Sequence, residues 1–226
     1  DVCSSDLMVA NSFLINAHVR KLSFEPLTDF APLCYMVDSP NVIVTHVSSP
    51  YRTLGDLIEA ARKQPGGVAV ATNAPATGQH VALELLKKAA KVDIALLPTP
   101  GTNPALTMAL GNHAPAALTS YGDLAPHAQA GSVRVLATTG AKRIPVLPDV
   151  PTLRELGYDV DVTAWFGMVA PGKTPAKVTA ALSEAFASAL KAPDVLGKLA
   201  PLQLFPVGDC GSDFAAFLKK EDAMTG

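Results

Sequence analysis

Apolar residues follow two different spacings along this chain from about residue 41 onward. Short apolar runs bounded by turn residues predict β-strands, and apolar residues repeated every three to four positions predict amphipathic helices. Because the two patterns alternate, we expect an α/β fold with mostly parallel sheets and right-handed crossovers. The predicted strands are 42–47, 68–72, 94–97, 116–118, 133–138, 162–169 and 203–205.

The predicted helices have recognisable starts and apolar faces. Thr53 and Asp56 form an aspartate version of a capping box, and Thr152 with Glu155 predicts the cap of a short helix after Pro151. The helix that follows residue 77 is expected to bury Val81, Leu85 and Ala89. A longer amphipathic stripe predicts another helix and consists of Val178, Ala181, Leu182, Ala185, Phe186, Ala189 and Leu190.

The amino-acid composition and the net charge limit which kinds of binding partner the protein can have. Of the 226 residues, 49% are hydrophobic and only 17% are charged, so a sizeable core can form. The formal net charge of −2 and the absence of long Lys/Arg runs argue against nucleic acid and anionic membranes as partners. No apolar stretch approaches the roughly 20 residues of a membrane span.

The chain contains three cysteines, Cys3, Cys34 and Cys210. Residues 1–7 (DVCSSDL) are typical of a translated sequencing adapter, so we expect this segment to be foreign and exclude it from the fold. The two remaining cysteines are too few for a disulfide framework. We expect buried free thiols, although spacing leaves a Cys34–Cys210 pair open.

Residues 167–174 (GMVAPGKT) match the phosphate-loop pattern GxxxxGK[ST]. A phosphate loop needs successive backbone N–H groups, and Pro171 has none. We therefore interpret Gly172 as a turn, Thr174 as a helix N-cap and Pro175 as the first helical residue.

Other catalytic or metal-binding patterns are lacking. The five histidines show no metal-ligand spacing, and no GxSxG nucleophile elbow or catalytic cysteine motif occurs. We therefore expect a protein that is not an enzyme and needs no cofactor.

Three predicted strands end in small polar residues before a helix, in segments 72–78, 99–104 and 119–122. In α/β folds, ligands lie at the carboxyl ends of the strands. Helix N-termini at that edge hold a carboxylate without Lys or Arg. These segments predict a binding site.

An ordered set of motifs resembles the substrate-binding proteins of tripartite tricarboxylate transporters, the Bug-type receptors. From about residue 8 onward, the motifs are 22–32 (LSFEPLTDFAP), 40–44 (PNVIV), 101–107 (GTNPALT), 126–127 with 130–131, 142–152 (KRIPVLPDVPT), 165–171 (WFGMVAP) and 174–176.

The resemblance implies an α/β fold similar to type II periplasmic binding proteins, with two α/β lobes around a central cleft. Lobe 1, incomplete, would comprise 8–44 plus 163–226, and lobe 2 would comprise 45–162. The family's first ligand loop would lie upstream of this chain. The resemblance also implies a periplasmic, monomeric receptor that closes by a hinge on a small organic solute, mostly a carboxylate, and delivers it to membrane transporter subunits.

The binding residues expected from the strand ends and the resemblance are Asn11, Ser12, Thr72, Asn73, Ala74, Thr77, His80, Asn103, Thr119, Ser120 and Trp165. Trp165 would line the cleft or pack at a hinge. Where many members have Tyr-Lys or Asp-Asn, this chain has Thr99-Pro100 and Thr119-Ser120, which removes charge and aromatic surface from the expected site.

Two alternatives remain open from the sequence. The same fold and site would serve a sensor that signals to a membrane kinase instead of a transporter. An α/β hydrolase-like enzyme would instead require a nucleophile and base brought together only by folding.

Overall fold

The computed structural model describes residues 7–225, so the predicted foreign segment 1–7 lies outside the described residues except for Leu7. The strands of this part of the chain are β1 Leu7–Ala10, β2 Phe30–Ser39, β3 Asn41–His46, β4 Ala69–Asn73, β5 Ala95–Thr99, β6 Ala116–Ser120, β7 Val133–Thr138, β8 Ala164–Pro171 and β9 Phe205–Cys210. The helices are α1 Ser12–Val19, α2 Leu54–Lys63, α3 Gly78–Ala90, α4 Thr102–Leu110, α5 Tyr121–Gln129, α6 Ala176–Ala189, α7 Pro193–Leu199 and α8 Ser212–Thr225.

The chain divides into two compact units. Unit 1 contains the described residues up to Ser39 and those from Ala164 onward, and unit 2 contains Pro40–Thr163. The division precedes β3, which belongs wholly to unit 2 because it pairs with β6 and β7.

Unit 1 is built on a four-stranded sheet with the order β1-β8-β2-β9. Every pair in this sheet is antiparallel, so the prediction of mostly parallel sheets is wrong for unit 1. Strands β1 and β2 were not predicted. Strand β2 contains Pro32, next to which the pairing with β8 shifts register, and such an irregular strand lacks a regular apolar alternation.

An aromatic cluster forms the core of unit 1 around Trp165 and Phe214, which are almost fully buried. The prediction of two free thiols is wrong, because Cys34 and Cys210 form a disulfide between β2 and β9. These residues are direct partners in the antiparallel register, so folding brings them together from distant parts of the chain.

Unit 2 is built on a five-stranded mixed sheet with the order β5-β4-β6-β3-β7. Strand β4 is parallel to β5 and β6, whereas β3 is antiparallel to β6 and β7. The prediction of parallel pairing is therefore confirmed only for β4 with its two neighbours. Strand β7 coincides with the predicted 133–138.

The capping bonds predicted for unit 2 form, but the short helix expected after Pro151 is wrong, because residues 153–157 form turns. Thr53 and Asp56 make both bonds of a capping box at the start of α2. The side chain of Thr152 accepts from the N–H of Glu155, and the Glu155 carboxylate accepts from the N–H of Thr152. Helix α2 buries the apolar face that begins at Leu54.

Two details of the predicted helices are wrong. Helix α3 buries Ala82, Leu83, Leu86 and Ala90 in place of the stripe that begins at Val81, because apolar residues occupy two adjacent faces of this helix. Helix α6 begins one residue later than expected and has no side-chain cap from Thr174. None of the helices among residues 7–225 combines the length and apolarity that a membrane span requires.

Candidate functional site

Strands β4, β5 and β6 run in the same direction, so their carboxyl ends lie at one edge of the unit 2 sheet. Each of them leads into a helix at this edge: β4 into α3, β5 into α4 and β6 into α5. The antiparallel strand β3 starts at the same edge, with Asn41 directly opposite Ser120. We call this set of strand ends and helix starts, residues 72–79, 99–103, 119–121 and Asn41, the polar edge.

Thr77 organises the start of α3. Its hydroxyl accepts a hydrogen bond from the N–H of His80 at 3.4 Å and donates one to the carbonyl of Ala74 at 3.0 Å. Thr77 is therefore the N-cap of α3, which confirms the helix predicted after residue 77, and His80 lies in its first turn. The positive end of the helix dipole and the first N–H groups of α3 lie at the polar edge.

Two polar side-chain atoms at the end of β4 have no hydrogen-bond partner among the described residues. They are Oγ1 of Thr72, a residue that is fully buried, and Oδ1 of Asn73, a residue that is half-buried. Most buried polar atoms in proteins are paired, so these two atoms require a physical explanation. A ligand or an ordered water that donates to Asn73 would provide one.

Most hydroxyl groups near the starts of α4 and α5 already donate hydrogen bonds within the protein. Thr119 is fully buried, and its hydroxyl donates to the carbonyl of Thr102 at 3.5 Å. The hydroxyl of Thr102 donates to the carboxylate of Asp123. Ser120 is half-buried, and Asn103 is exposed at the second position of α4. Ser120 and Asn103 are therefore more accessible to a ligand than Thr119.

Two polar residues that the sequence reasoning missed complete the polar edge. Asn41 is fully buried and Gln79 nearly so. The amide Nε2 of Gln79 lies 3.1 Å from Oδ1 of Asn41 and 3.4 Å from the hydroxyl of Ser120. Residues 41 and 79 are far apart in sequence, so no local pattern links them. The one feature of the sequence that could have pointed to Asn41 is its place in motif 40–44 of the family resemblance.

Tyr121 ties the start of α5 to the segment that precedes β3. Its backbone N–H donates to the carbonyl of Pro40 at 2.8 Å. The side chain is buried, and this burial raises the pKa of the Tyr121 phenol above its usual range. The phenol therefore stays neutral at physiological pH and adds no charge to the polar edge.

Two of the binding residues predicted in unit 1, Trp165 and Asn11, make hydrogen bonds within the core of that unit. Trp165 is only 1% exposed, and its indole N–H donates to the carboxylate of Glu221 at 3.1 Å. The side-chain oxygen of Asn11 accepts from the backbone N–H of Trp165 at 3.1 Å. Trp165 is therefore packed in the core of unit 1, and Asn11 holds the backbone of β8 in place.

Ser12 is exposed and lines a groove of about 370 Å³ in unit 1. The groove is mostly apolar and includes Phe13, Phe24 and Phe166 in its walls. Ser12 therefore lies on an accessible surface of this unit.

The residues of the phosphate-loop pattern adopt a strand and a turn. Residues from Gly167 to Pro171 belong to β8, and the N–H of Gly172 already donates to the carbonyl of Asp29 at 2.7 Å. A Cβ atom at Gly167 would overlap the ring of Phe214. Gly167 is therefore required for packing, and this segment does not form a loop that surrounds a phosphate.

Among residues 7–225, no group of His, Cys, Asp and Glu side chains is arranged to hold a metal ion. The chemistry of the polar edge is that of hydroxyl, amide and backbone N–H groups. Such groups bind and orient an anion or a polar solute.

Comparison with known proteins gives a consistent result. The profile of the tripartite tricarboxylate transporter family receptors matches residues 5–226. An Agrobacterium vitis protein, the UPF0065 protein in the TAR-I ttuE-ttuC' intergenic region, is 33% identical over 82% of this chain and 54% of its own length. Protein BugT of Bordetella pertussis is 30% identical over 82% of this chain and 57% of its own length. The chain thus spans little more than half of these relatives.

Solved structures share the fold. The periplasmic binding protein BugD superposes with a TM-score of 0.82 and 26% identity, over 97% of this chain and 75% of its own. The R. palustris protein Rpa4515, solved with adipate, has a TM-score of 0.79 and 29% identity, over 90% of this chain and 69% of its own. The predicted α/β fold of the periplasmic binding protein type is confirmed.

Proposed function

Because this chain belongs to the tripartite tricarboxylate transporter family receptors, we propose that it binds a small organic carboxylate outside the cytoplasm and delivers it to the membrane subunits of such a transporter. The family is one of receptors, so no bond of the solute is made or broken. The observation that carries the proposal is the convergence of three strand ends and three helix starts at the polar edge of unit 2.

The polar edge suits an anion for electrostatic reasons. Helices α3, α4 and α5 begin there, and each helix start has a partial positive charge and first N–H groups that lack intrahelical partners. A carboxylate accepts hydrogen bonds from such groups, and the hydroxyl of Ser120, which accepts from Gln79, has its own proton left to donate. Thr77 holds the turn that leads into α3. The relative solved with adipate binds a molecule of this class.

The disulfide between Cys34 and Cys210 supports the proposed location. Disulfides persist in oxidising compartments such as the periplasm and are rare where thiols are kept reduced. A receptor that works in the periplasm retains this bond throughout its lifetime.

A thermal-shift screen of the folded chain tests the proposal. The screen should include acetate, adipate, citrate and glutamate, with sucrose as an uncharged comparison. A ligand at 100 times its dissociation constant stabilises the folded state by about 2.7 kcal/mol, which raises the melting temperature by several degrees. We expect a saturable shift with at least one carboxylate, and chromatography should recover that carboxylate chemically unchanged.

Two outcomes would contradict the proposal. A flat screen on well-folded protein would remove carboxylates as the ligand class, and turnover of a bound carboxylate would favour the hydrolase-like alternative. Capture of transporter membrane subunits by the ligand-bound chain, compared with a membrane kinase, then tests the partner.

A further inference from the structure

Asn41 connects four segments at the polar edge. Its backbone carbonyl accepts from the hydroxyl of Thr138 at 3.1 Å and from the N–H of Thr139 at 3.0 Å. Its side-chain Oδ1 accepts from Nε2 of Gln79, in the first turn of α3, and it stands opposite Ser120 on β6. These bonds fix both the backbone and the amide plane of Asn41.

The remaining atom of this amide, Nδ2, has no partner among the described residues, although the residue is fully buried. A buried donor without an acceptor destabilises the fold, because it has lost its hydrogen bonds to water. In the structure Oδ1 accepts from Gln79, so Nδ2 is the atom of the amide that is left to donate. Gln79 lies in the first turn of α3, whose own N–H groups lack intrahelical partners.

We propose that Nδ2 of Asn41 donates a hydrogen bond to a carboxylate oxygen of the ligand, received at the N-terminus of α3, and that Gln79 is the residue that positions it. The inference rests on the proposed function and adds a binding residue to it. Because the amide offers only N–H groups, this position accepts an anionic oxygen and rejects an ammonium group. Asn41 thus selects which end of a solute enters the polar edge.

The segment between β4 and α3 provides the route of entry. Ala74 and Pro75 are exposed, and Ala76 has a φ of 66°, in the left-handed region. A non-glycine residue in this region carries backbone strain, which favours displacement of the segment. The route that the inference requires therefore passes the exposed residues 74–76, which lead into Thr77 and Gln79.

Nuclear magnetic resonance with acetate, the simplest carboxylate probe, tests the inference directly. The side-chain NH₂ signals of Asn41 are assigned in ¹⁵N-labelled protein from their loss in Asn41→Asp. We expect acetate to shift these signals and the backbone amide of Gly78 with one common dissociation constant. A saturable shift at Gly78 with no change at Asn41 would overturn the inference.

The isosteric variant Asn41→Asp gives a second test. It keeps the oxygen that accepts from Gln79 but replaces the donor by a carboxylate oxygen, so acetate affinity at pH 7.5 should fall roughly tenfold or more. Burial raises the pKa of such a carboxyl group. At pH 5 the protonated group donates again, and the difference in affinity from the original chain should narrow.

Asn112→Asp is the matched control, because it makes the same charge change at an exposed position of unit 2. It should bind acetate as the original chain does. An unchanged affinity in Asn41→Asp would overturn the inference, while a carboxylate hit in the thermal screen would still support the proposed function. A flat carboxylate screen on well-folded protein would contradict the proposed function and, with it, the inference that rests on it.

Discussion

Cys34 and Cys210 are paired residues of adjacent antiparallel strands, with their Cα atoms 4.0 Å apart, and a disulfide joins them. The bond closes a loop across a sequence separation of 176 residues and links β2 to β9 within unit 1. A cross-link over so long a loop restricts the unfolded chain strongly, because the loop-closure entropy grows with loop length.

Removal of this disulfide should destabilise unit 1. We expect the double variant Cys34→Ala/Cys210→Ala to lose about 2–5 kcal/mol of unfolding free energy. Urea unfolding with and without dithiothreitol measures the loss, and the double variant should no longer respond to the reductant. Thiol titration of the original chain in non-reducing denaturant should detect one thiol from the three cysteines, whereas three thiols would show that the bond does not form.

Close packing between Gly167 and Phe214 gives a second prediction. A side chain at residue 167 would overlap the Phe214 ring in the core of unit 1. Gly167→Ala should therefore cost about 1–3 kcal/mol of unfolding free energy. Gly197→Ala is the control, because nothing lies near its added Cβ and the residue is in α7. The control should be neutral or gain up to about 1 kcal/mol, and equal losses in both variants would refute the packing argument.

The sequence predicted those parts of the fold that depend on neighbouring residues. Strand β7 is a short, mostly apolar run that begins with two valines in alternation, and the capping box at Thr53 depends on a residue three positions away. Strand β2 escaped prediction because Pro32 and two register shifts interrupt its pattern. The buried face of α3 was misassigned because its apolar residues fit more than one face, and only packing on the sheet decides between them.

The predicted binding residues likewise depend on neighbouring residues in the sequence, whereas the residues that were missed depend on contacts between distant segments. Thr72, Thr77 and Ser120 follow directly from the polar ends of strands, so the pattern located them at the edge. The contact between Asn41 and Gln79 joins residues that are 38 positions apart, and no spacing rule describes it. A disulfide between β2 and β9 is likewise set by strand register, which sequence spacing does not determine.

The ion pair of Glu155 predicts a defined pH dependence. Hydrogen bonds from the side chain of Arg143 and from the backbone N–H of Thr152 lower the pKa of Glu155 below its usual value of 4.5. A carboxyl group with a lowered pKa in the folded state stabilises the fold fully above its unfolded pKa, and this contribution disappears as the pH falls. Glu155→Gln should therefore melt earlier than the original chain at pH 7, and the difference should close below about pH 4.

Melting curves between pH 7 and pH 3 check this prediction. Asp149→Asn serves as the control, because it removes one negative charge from an exposed position in the same segment of unit 2. A similar pH-dependent difference in the control would attribute the effect to net charge and not to the bonds of Glu155.

Thr77 combines a structural and a binding role, and two variants separate them. Thr77→Val removes the N-cap of α3, so we expect a loss of about 1 kcal/mol of unfolding free energy together with weaker adipate binding by calorimetry. Thr53→Val removes the N-cap of α2, which begins at the opposite edge of the sheet, and should lose similar stability without weakening adipate binding. Thr77→Ser keeps the hydroxyl and should retain both properties. Equal losses of adipate affinity in Thr77→Val and Thr53→Val would show that destabilisation alone lowers binding. Thr77 would then no longer count as a binding residue.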